Sequence, residues 1–573
     1  MLTNSRLMND LSNDILNKAQ RWLAPYFDSE TQDNVTKMLH GDPELLEDAF
    51  YKSLAFGTGG MRGIMGPGDN RINKYTLGKA TQGLANYMHQ VFPGEEKKVV
   101  IAYDCRHNSK ALAQTVAQVF AANDIKAYVF SDLRPTPELS FAVRHLSCHC
   151  GIVLTASHNP PKYNGYKVYW QDGGQLVPPQ DAEIIAHINQ LDYSDIKFDA
   201  QEHLVQQIDH EVDQAFIAAS TQAVTQKTTQ NQRDQLKIVF TPLHGTSITM
   251  VPPVLEKAGF NQLSIVAAQS KPDGDFPTVV SPNPEEPEAL SMAITQADAQ
   301  QADLVIGTDP DCDRLGIAVR DDQGRLQLLN GNQAMIVKTH FLLEQHEQDG
   351  KLADSFIAST IVSTPMMRVL ADDFGVTYRE GLTGFKWIAK MVKDHPKEQF
   401  IGGGEESFGY MVGDFVRDKD AVTASLLICE IAAMKKAQGT SIWAYLQELY
   451  QKYGHFEEVL ISMVKQGRKG AEEIQDMMKT LRQNPPKTLG GSKVVTLQDY
   501  HNQQQTDLST QKQTPLDLPQ SNVLIFNTEN GGKIACRPSG TEPKIKFYIS
   551  VRAKNANGLM AQIQQIKSDL SLT

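Results

Sequence analysis

Followed by its apolar positions, the chain falls into three similar rounds and a fourth stretch of another kind. The first 50 residues are amphipathic and predict helices, with Leu11, Ile15 and Ala19 at helical spacing. The first round opens on the apolar run Lys98–Tyr103, which ends at Asp104 and Arg106. A helix follows from Ser109 to Asn123, then strands at Ala127–Phe130 and Gly151–Leu154. That order is a βαβ pattern. A polar, Gln-rich stretch near 199–235 separates it from the second round. There, strands at Leu236–Phe240, Leu263–Val266 and Leu304–Gly307 alternate with helices ending at Ala258 and spanning 286–299. The third round has helices over 332–345, 365–374 and 420–437, and a strand over 356–361. The last ~120 residues carry one amphipathic helix near 470–483, short strands and a Gln-rich loop at 502–514. The expectation is three α/β units and one smaller α+β unit. A length of 573 residues agrees, being too long for one core and suited to roughly four domains of ~150 residues each.

Chemistry concentrates where these strands end. The strand Gly151–Leu154 runs into Thr155-Ala156-Ser157-His158-Asn159-Pro160. Ligands gather at the carboxyl ends of strands in open α/β sheets, so Ser157 is a candidate carrier of a phosphoryl group. Those six residues by themselves suit a plain turn equally well. The strand Leu304–Gly307 runs into Asp309-Pro310-Asp311-Cys312-Asp313-Arg314. Three alternate carboxylates on a tight loop converge on one hard cation, and oxygen ligands suit Mg²⁺. An EF-hand fails because Arg314 and Arg320 stand where Gly and Glu are needed. A haloacid-dehalogenase nucleophile loop fails because Asp313 stands where Thr or Val belongs. A solvated acidic turn would leave three carboxylates repelling one another without a cation.

Three further segments add to these. Arg537-Pro538-Ser539-Gly540-Thr541-Glu542-Pro543-Lys544 joins two cations, two hydroxyls and a glycine, a set that suits a phosphate cradle. Glu405 and Ser407 sit in a glycine-flanked loop and suit the hydroxyls of a sugar. The loop Gly57–Gly66 lacks the Gly-Lys-Ser/Thr ending of a nucleotide-binding loop, yet its Arg62 could meet a phosphate. His158 could orient or shuttle a proton, and Lys167 could act as general acid/base or pair with a phosphate.

Composition narrows the classes. A net charge of −12 argues against wholesale nucleic-acid binding, and leaves an anionic substrate dependent on local clusters of Arg and Lys. The six cysteines are scattered and fit a reducing compartment. Cys148-His149-Cys150 has no second pair to complete a metal site. Residues 1–24 carry no apolar segment of a leader or anchor, and no run reaches the ~18 apolar residues of a membrane span. The expected place is the cytoplasm, with no membrane partner.

Thr155–Pro160, Asp309–Arg314, Gly404–Gly409 and Arg537–Lys544 resemble the four signature loops of the α-D-phosphohexomutases, in the family's order. Gly404-Glu405-Glu406-Ser407-Phe408-Gly409 with Thr383-Gly384-Phe385-Lys386 resembles the phosphoglucomutase branch. The resemblance implies four domains around a central cleft, at 1–210, 211–325, 326–450 and 451–573, the last α+β and TATA-binding-protein-like. It implies a phosphate on Ser157, and Mg²⁺ held by Asp309, Asp311, Asp313 and a phosphoserine oxygen. Arg62, Arg314 and Lys386 would stabilise charge, and Lys167 would assist proton transfer. The sugar phosphate would meet Thr383, Gly384, Glu405, Ser407, Arg537, Ser539, Gly540, Thr541 and Lys544. The implied reaction interconverts glucose 1-phosphate and glucose 6-phosphate through glucose 1,6-bisphosphate, by a monomer or homodimer. Mannose or pentose phosphates are the neighbouring substrates, and a silent sugar-phosphate binder the alternative of another class.

Overall fold

The computed structural model describes residues 12–57, 59–225, 227–465, 467–539 and 543–572. Leu11, Gly540 and Thr541 lie outside the described residues. The chain forms two compact units, Met1–Ala318 with Gly409–Met434, and Val319–Phe408 with Lys435–Thr573.

The first unit holds two sheets. One contains β1 (Gly60–Ile64), β2 (Lys98–Tyr103), β3 (Lys126–Phe130), β4 (Cys150–Leu154), β5 (Tyr163–Trp170) and β6 (Val205–Ile208), in the order β1-β5-β4-β2-β3-β6. Strands β2, β3, β4 and β6 are parallel, while β5 runs antiparallel to β4 and to β1. The apolar runs are explained by burial on both faces. Val99, Ile101, Ile152 and Leu154 pack in one core, and Val100, Ala102 and Val153 in another. This is the period-two alternation of a strand with both faces covered. The second sheet contains β7 (Ile238–Thr241), β8 (Leu263–Ile265), β9 (Leu304–Thr308) and β10 (Leu315–Arg320), in the order β10-β9-β7-β8.

The second unit also holds two sheets. In the smaller one, the strand Ser355–Thr360 lies parallel between Thr377–Gly381 and Gln399–Gly404. The larger is antiparallel throughout. Its order is His455–Val464, Lys544–Ala553, Lys533–Pro538, Leu524–Thr528, Ser492–Asp499, Gln504–Asp507, Gln513–Pro515. The helices Gly467–Gln483 and Leu559–Asp569 supply Ile474, Met478, Ile563 and Ile566 to its core. Three α/β sheets, each with its helices, and a C-terminal sheet-rich domain are thus the architecture the apolar pattern predicts.

Two polar stretches are more regular than their composition suggests. The Gln-rich segment near 199–235 holds β6 and the helix His210–Ala223, which buries Val212, Phe216 and Ile217. It is pinned by Glu430, whose carboxylate accepts from the Lys227 and Thr228 N–H groups and the Thr228 hydroxyl. The loop expected at 502–514 is a hairpin of Gln504–Asp507 and Gln513–Pro515. Its mixed polar faces give no alternation to read.

Candidate functional site

The apolar strand β4 delivers Thr155 to Ser157 at its carboxyl end, and the loop there is held by a buried network. Ser157 takes a left-handed backbone, φ 53°, a conformation uncommon for a residue with a Cβ. The Thr155 hydroxyl accepts the Ser157 N–H at 2.8 Å and donates to Asp104 Oδ2 at 2.6 Å. Arg106, from the end of β2, donates to the carbonyls of Ser157 at 2.5 Å, Pro160 at 2.9 Å and Tyr163 at 3.1 Å, and to that of Asn159. Asp104 pairs with Arg106 at 3.3 Å, and both side chains are fully buried. Fixed dipoles and one clamped guanidinium therefore offset the cost of the strained serine. Strand β5 closes against this loop at Gly165, where a Cβ would stand 2.4 Å from the Thr155 oxygen. Only glycine permits so close an approach.

The aspartate loop follows β9 in the second sheet of the same unit. Asp309, Asp311 and Asp313 are all buried, with one ligand oxygen from each within 4.8 Å of the others. Asp309 Oδ1 accepts the Asp313 and Arg314 N–H groups, each at 3.0 Å. Its Oδ2 accepts the Ser157 hydroxyl at 2.8 Å, which joins serine and aspartate loops in one site. Asp311 Oδ1 and Asp313 Oδ1 are buried and carry no hydrogen bond. Buried acceptors are seldom left unspent, and unspent carboxylate oxygens beside Ser157 fit a hard dication. Among the described residues no other cluster of His, Cys, Asp and Glu has such convergence; Cys148 and Cys150 are buried thiols, and His149 Nδ1 accepts the Lys98 N–H.

Charge around the triad is arranged with equal economy. Burial and the neighbouring Asp313 and Asp311 push the Asp309 carboxyl well above the usual carboxylate range. Burial would raise Asp313 too, but Lys167, Lys419 and Arg314 outweigh it and hold it well below. Lys167, on β5, sits 2.6 Å from Asp311 Oδ2 and 3.1 Å from Asp313 Oδ2. Burial opposes its charge, and these two carboxylates more than restore it, so Lys167 stands as a cation. His158 lies with Nδ1 3.2 Å from Ser157 Oγ. Burial, then Arg314 and Arg62, push it down to about 2, so its ring is neutral at pH 7. Arg62, on β1, donates to Asn159 Oδ1 at 2.9 Å, and Arg314 pairs with Glu285.

Several contributors have no motif to betray them. Lys419 lies 3.2 Å from Asp313 Oδ2 and 3.3 Å from Asp418 Oδ1, and Asp418 accepts the Tyr169 hydroxyl at 2.6 Å. Thr136 opens the helix Thr136–His145. Its N–H donates to the Asp311 carbonyl at 2.9 Å and its hydroxyl to Asp311 Oδ2 at 3.1 Å.

The remaining candidates lie in the second unit. Gly384, φ 114°, donates its N–H to Glu405 Oε1 at 3.0 Å, which brings the segment Thr383–Lys386 to the Glu405 loop. Glu405 is buried, Ser407 partly exposed, and the Thr383 hydroxyl buried without a hydrogen bond. Lys386 begins the helix Lys386–Asp394, its ammonium 5.3 Å from the Trp387 ring centre. Arg537 lies near the end of the strand Lys533–Pro538, Lys544 opens the next, and the Ser539 N–H donates to the Lys544 carbonyl at 2.7 Å.

Three family models match the chain. They are the first, second and third alpha/beta/alpha domains of phosphoglucomutase/phosphomannomutase, at residues 53–195, 214–324 and 330–453. A phosphoglucomutase of Staphylococcus epidermidis is 39% identical over 511 residues, 88% of this chain and 92% of that protein. One from Staphylococcus aureus is 39% identical over 530 residues, 90% of this chain and 93% of that protein. Among solved structures, a phosphoglucomutase/phosphomannomutase family protein of Burkholderia thailandensis aligns with TM-score 0.67 at 18% identity, covering 90% of this chain and 97% of that one. The parafusin (phosphoglucomutase) of Paramecium in its open form aligns with TM-score 0.67 at 18% identity, covering 91% and 95%. These two likenesses concern the fold.

Proposed function

The chain belongs to the phosphoglucomutase/phosphomannomutase family, and we propose that it interconverts glucose 1-phosphate and glucose 6-phosphate through a phosphoserine at Ser157 and a glucose 1,6-bisphosphate intermediate. The observation that carries this reading is the 2.8 Å hydrogen bond from Ser157 to Asp309, beside the unspent oxygens of Asp311 and Asp313. Asp309, Asp311, Asp313 and a phosphoserine oxygen would hold Mg²⁺, which when bound supplies charge neutralisation at the transferring group. Phosphoryl transfer then asks the protein mainly for positioning and cations. Arg62, Arg314 and Lys386 serve as the cations. Thr383, Gly384, Glu405 and Ser407 would bind the sugar hydroxyls, and Arg537, Ser539, Gly540, Thr541 and Lys544 the phosphate that is not reacting.

In the forward half-reaction a sugar hydroxyl attacks phosphorus and the bond to Ser157 Oγ breaks. The hydroxyl loses a proton and Ser157 Oγ gains one. Lys167 is charged and can donate a proton, while neutral His158, its Nδ1 3.2 Å from Oγ, can orient that oxygen. The bisphosphate then presents its other phosphate, and the same steps run backwards.

The test is a coupled dehydrogenase assay with Mg²⁺ and a trace of glucose 1,6-bisphosphate, run on glucose, mannose and ribose 1-phosphates. Glucose 1-phosphate is expected to have the highest kcat/KM. Preference for mannose or ribose 1-phosphate would assign the chain to that substrate instead. Ser157→Ala should lose turnover and phosphate incorporation together, and undiminished turnover would sink the covalent mechanism.

A further inference from the structure

The second unit contains a cavity of about 270 Å³ lined by none of the residues assigned above to catalysis, metal or substrate. It lies beside the apolar seam where Ile361 and Leu382, just past two strands of the smaller sheet, pack with Tyr500, just past a strand of the larger, and with Ile525 and Ala535 within it. Ile361, Pro365 and Ile525 give it an apolar wall. The polar wall is built from Lys533, Tyr500 and Arg368, with Glu380.

The hydrogen-bond accounts of these groups do not balance. Glu380 accepts from Arg368 at 3.1 Å and from the Tyr378 hydroxyl at 3.2 Å. Glu406 accepts from Thr360 at 3.0 Å and Ser363 at 2.9 Å, and Glu458 from Ser550 at 3.3 Å. So the carboxylates whose field reaches Lys533, namely Glu380, Glu406 and Glu458, each have a donor of their own, although Glu458 Oε2 is buried and carries none. Lys533 and Tyr500 do not have acceptors. Among the described residues, neither the Lys533 ammonium nor the Tyr500 hydroxyl makes a hydrogen bond or ion pair. Both residues are at least nine-tenths buried, at 9% and 4% exposure. Two donors on side chains that are at least nine-tenths buried, neither with an acceptor among the described residues, open into one cavity, with Arg368 beside them. Donors that open into a cavity are satisfied by what fills it, and an ammonium, a phenol and a guanidinium along one wall suit an oxygen-rich anion.

We propose that this cavity binds a small phosphorylated or carboxylated metabolite, its anionic head held by Lys533, Tyr500 and Arg368. At the ~30 Å³ a water occupies in the liquid, the space takes roughly nine non-hydrogen atoms. A three-carbon phosphate monoester or a four-carbon dicarboxylate is of that size. The apolar wall receives the carbon chain.

Calorimetric titration of the full chain with glycerol 3-phosphate and, separately, with succinate tests this. At least one is expected to bind with a Kd of about 1 mM or tighter, and which of them binds distinguishes phosphate from carboxylate. Tyr500→Phe, which keeps ring and volume, and Lys533→Met should each weaken that binding at least tenfold. Arg537→Gln, which disables the proposed substrate cradle, should leave it within twofold. Loss in Arg537→Gln with retention in Tyr500→Phe and Lys533→Met would place the anion in the substrate site and overturn the proposal. So would the absence of binding of both probes at about tenfold that concentration.

Discussion

Ser157 and the three aspartates were legible because each group is contiguous in sequence and sits where a buried strand stops. Arg106, Thr136 and Lys419 were not, since each is an ordinary residue brought to the site by topology. Arg106 was noted only as the end of a strand, yet it binds four carbonyls of the serine loop. Thr136 makes the sharpest claim at this scale. It spends its N–H and its hydroxyl on Asp311, fixing Oδ2 and leaving Oδ1 unspent. Outer partners that orient a metal-binding carboxylate typically matter 10–100-fold in affinity. Thr136→Val, isosteric but without the hydroxyl, should weaken Mn²⁺ binding by about tenfold, measured by electron paramagnetic resonance of the full chain. Thr136→Ser should restore it. Unchanged affinity in Thr136→Val would mean that Lys167 alone orients Asp311.

Among elements, the central strands of the first two sheets were read well, because burial on both faces makes them continuous apolar runs. The helix Lys74–Val91 escaped notice because Thr76, Gly78, Thr81, Gln82 and Gly83 interrupt the apolar residues of its buried face. Thr81 meets the Tyr166 hydroxyl at 3.1 Å, and Gln82 exchanges hydrogen bonds with Asn123. Gly78 and Gly83 let Ile196 and Ile188 approach where a Cβ would collide with Ile188 at 2.5 Å. Strand β5, bearer of Lys167, was obscured by the prolines before it. A second polar surprise is testable. In the strand His455–Val464, burial raises the Glu458 carboxyl to about 7, against 4.5 for a free glutamate. Between these values the unfolded chain is ionised while the folded one still holds its proton. The folded state then binds more protons, so this contribution to stability falls as pH rises from about 4.5 to about 7. Glu458→Gln mimics the protonated form. It should match the parent near pH 4.5 and exceed it by up to about 3 kcal/mol at pH 8, read from urea midpoints. A difference constant across that range would remove burial of Glu458 as its cause.

For the whole molecule, the proposed labour is divided between two units. The serine loop, the aspartate triad, Lys167 and Lys419 all belong to the first, and the sugar and phosphate loops to the second. Net charge of −12 is unhelpful to an anionic substrate, and it is answered locally: Lys167, Lys419 and Arg314 surround the aspartates. Three buried carboxylates with two unspent oxygens still store repulsion that a dication would relieve. Mg²⁺ should therefore stabilise the folded state of the first unit by RT ln(1 + [Mg²⁺]/Kd), about 2.7 kcal/mol at a hundredfold excess over Kd. Hydrogen exchange followed by mass spectrometry resolves where that energy appears. Amides in 152–168, 244–247, 305–316 and 418–423 should exchange up to about 100-fold more slowly with Mg²⁺. The segment 244–247 is included because Thr246 binds the Pro310 carbonyl through its N–H at 2.8 Å and its hydroxyl at 2.9 Å. The strands Leu524–Thr528 and Lys533–Pro538 of the second unit should not respond to the metal alone. Asp311→Asn should abolish the protection, whereas Ser157→Ala, which keeps all three carboxylates, should retain most of it. Protection of equal size in both units, or none in the aspartate loop, would show that the triad is not where Mg²⁺ binds.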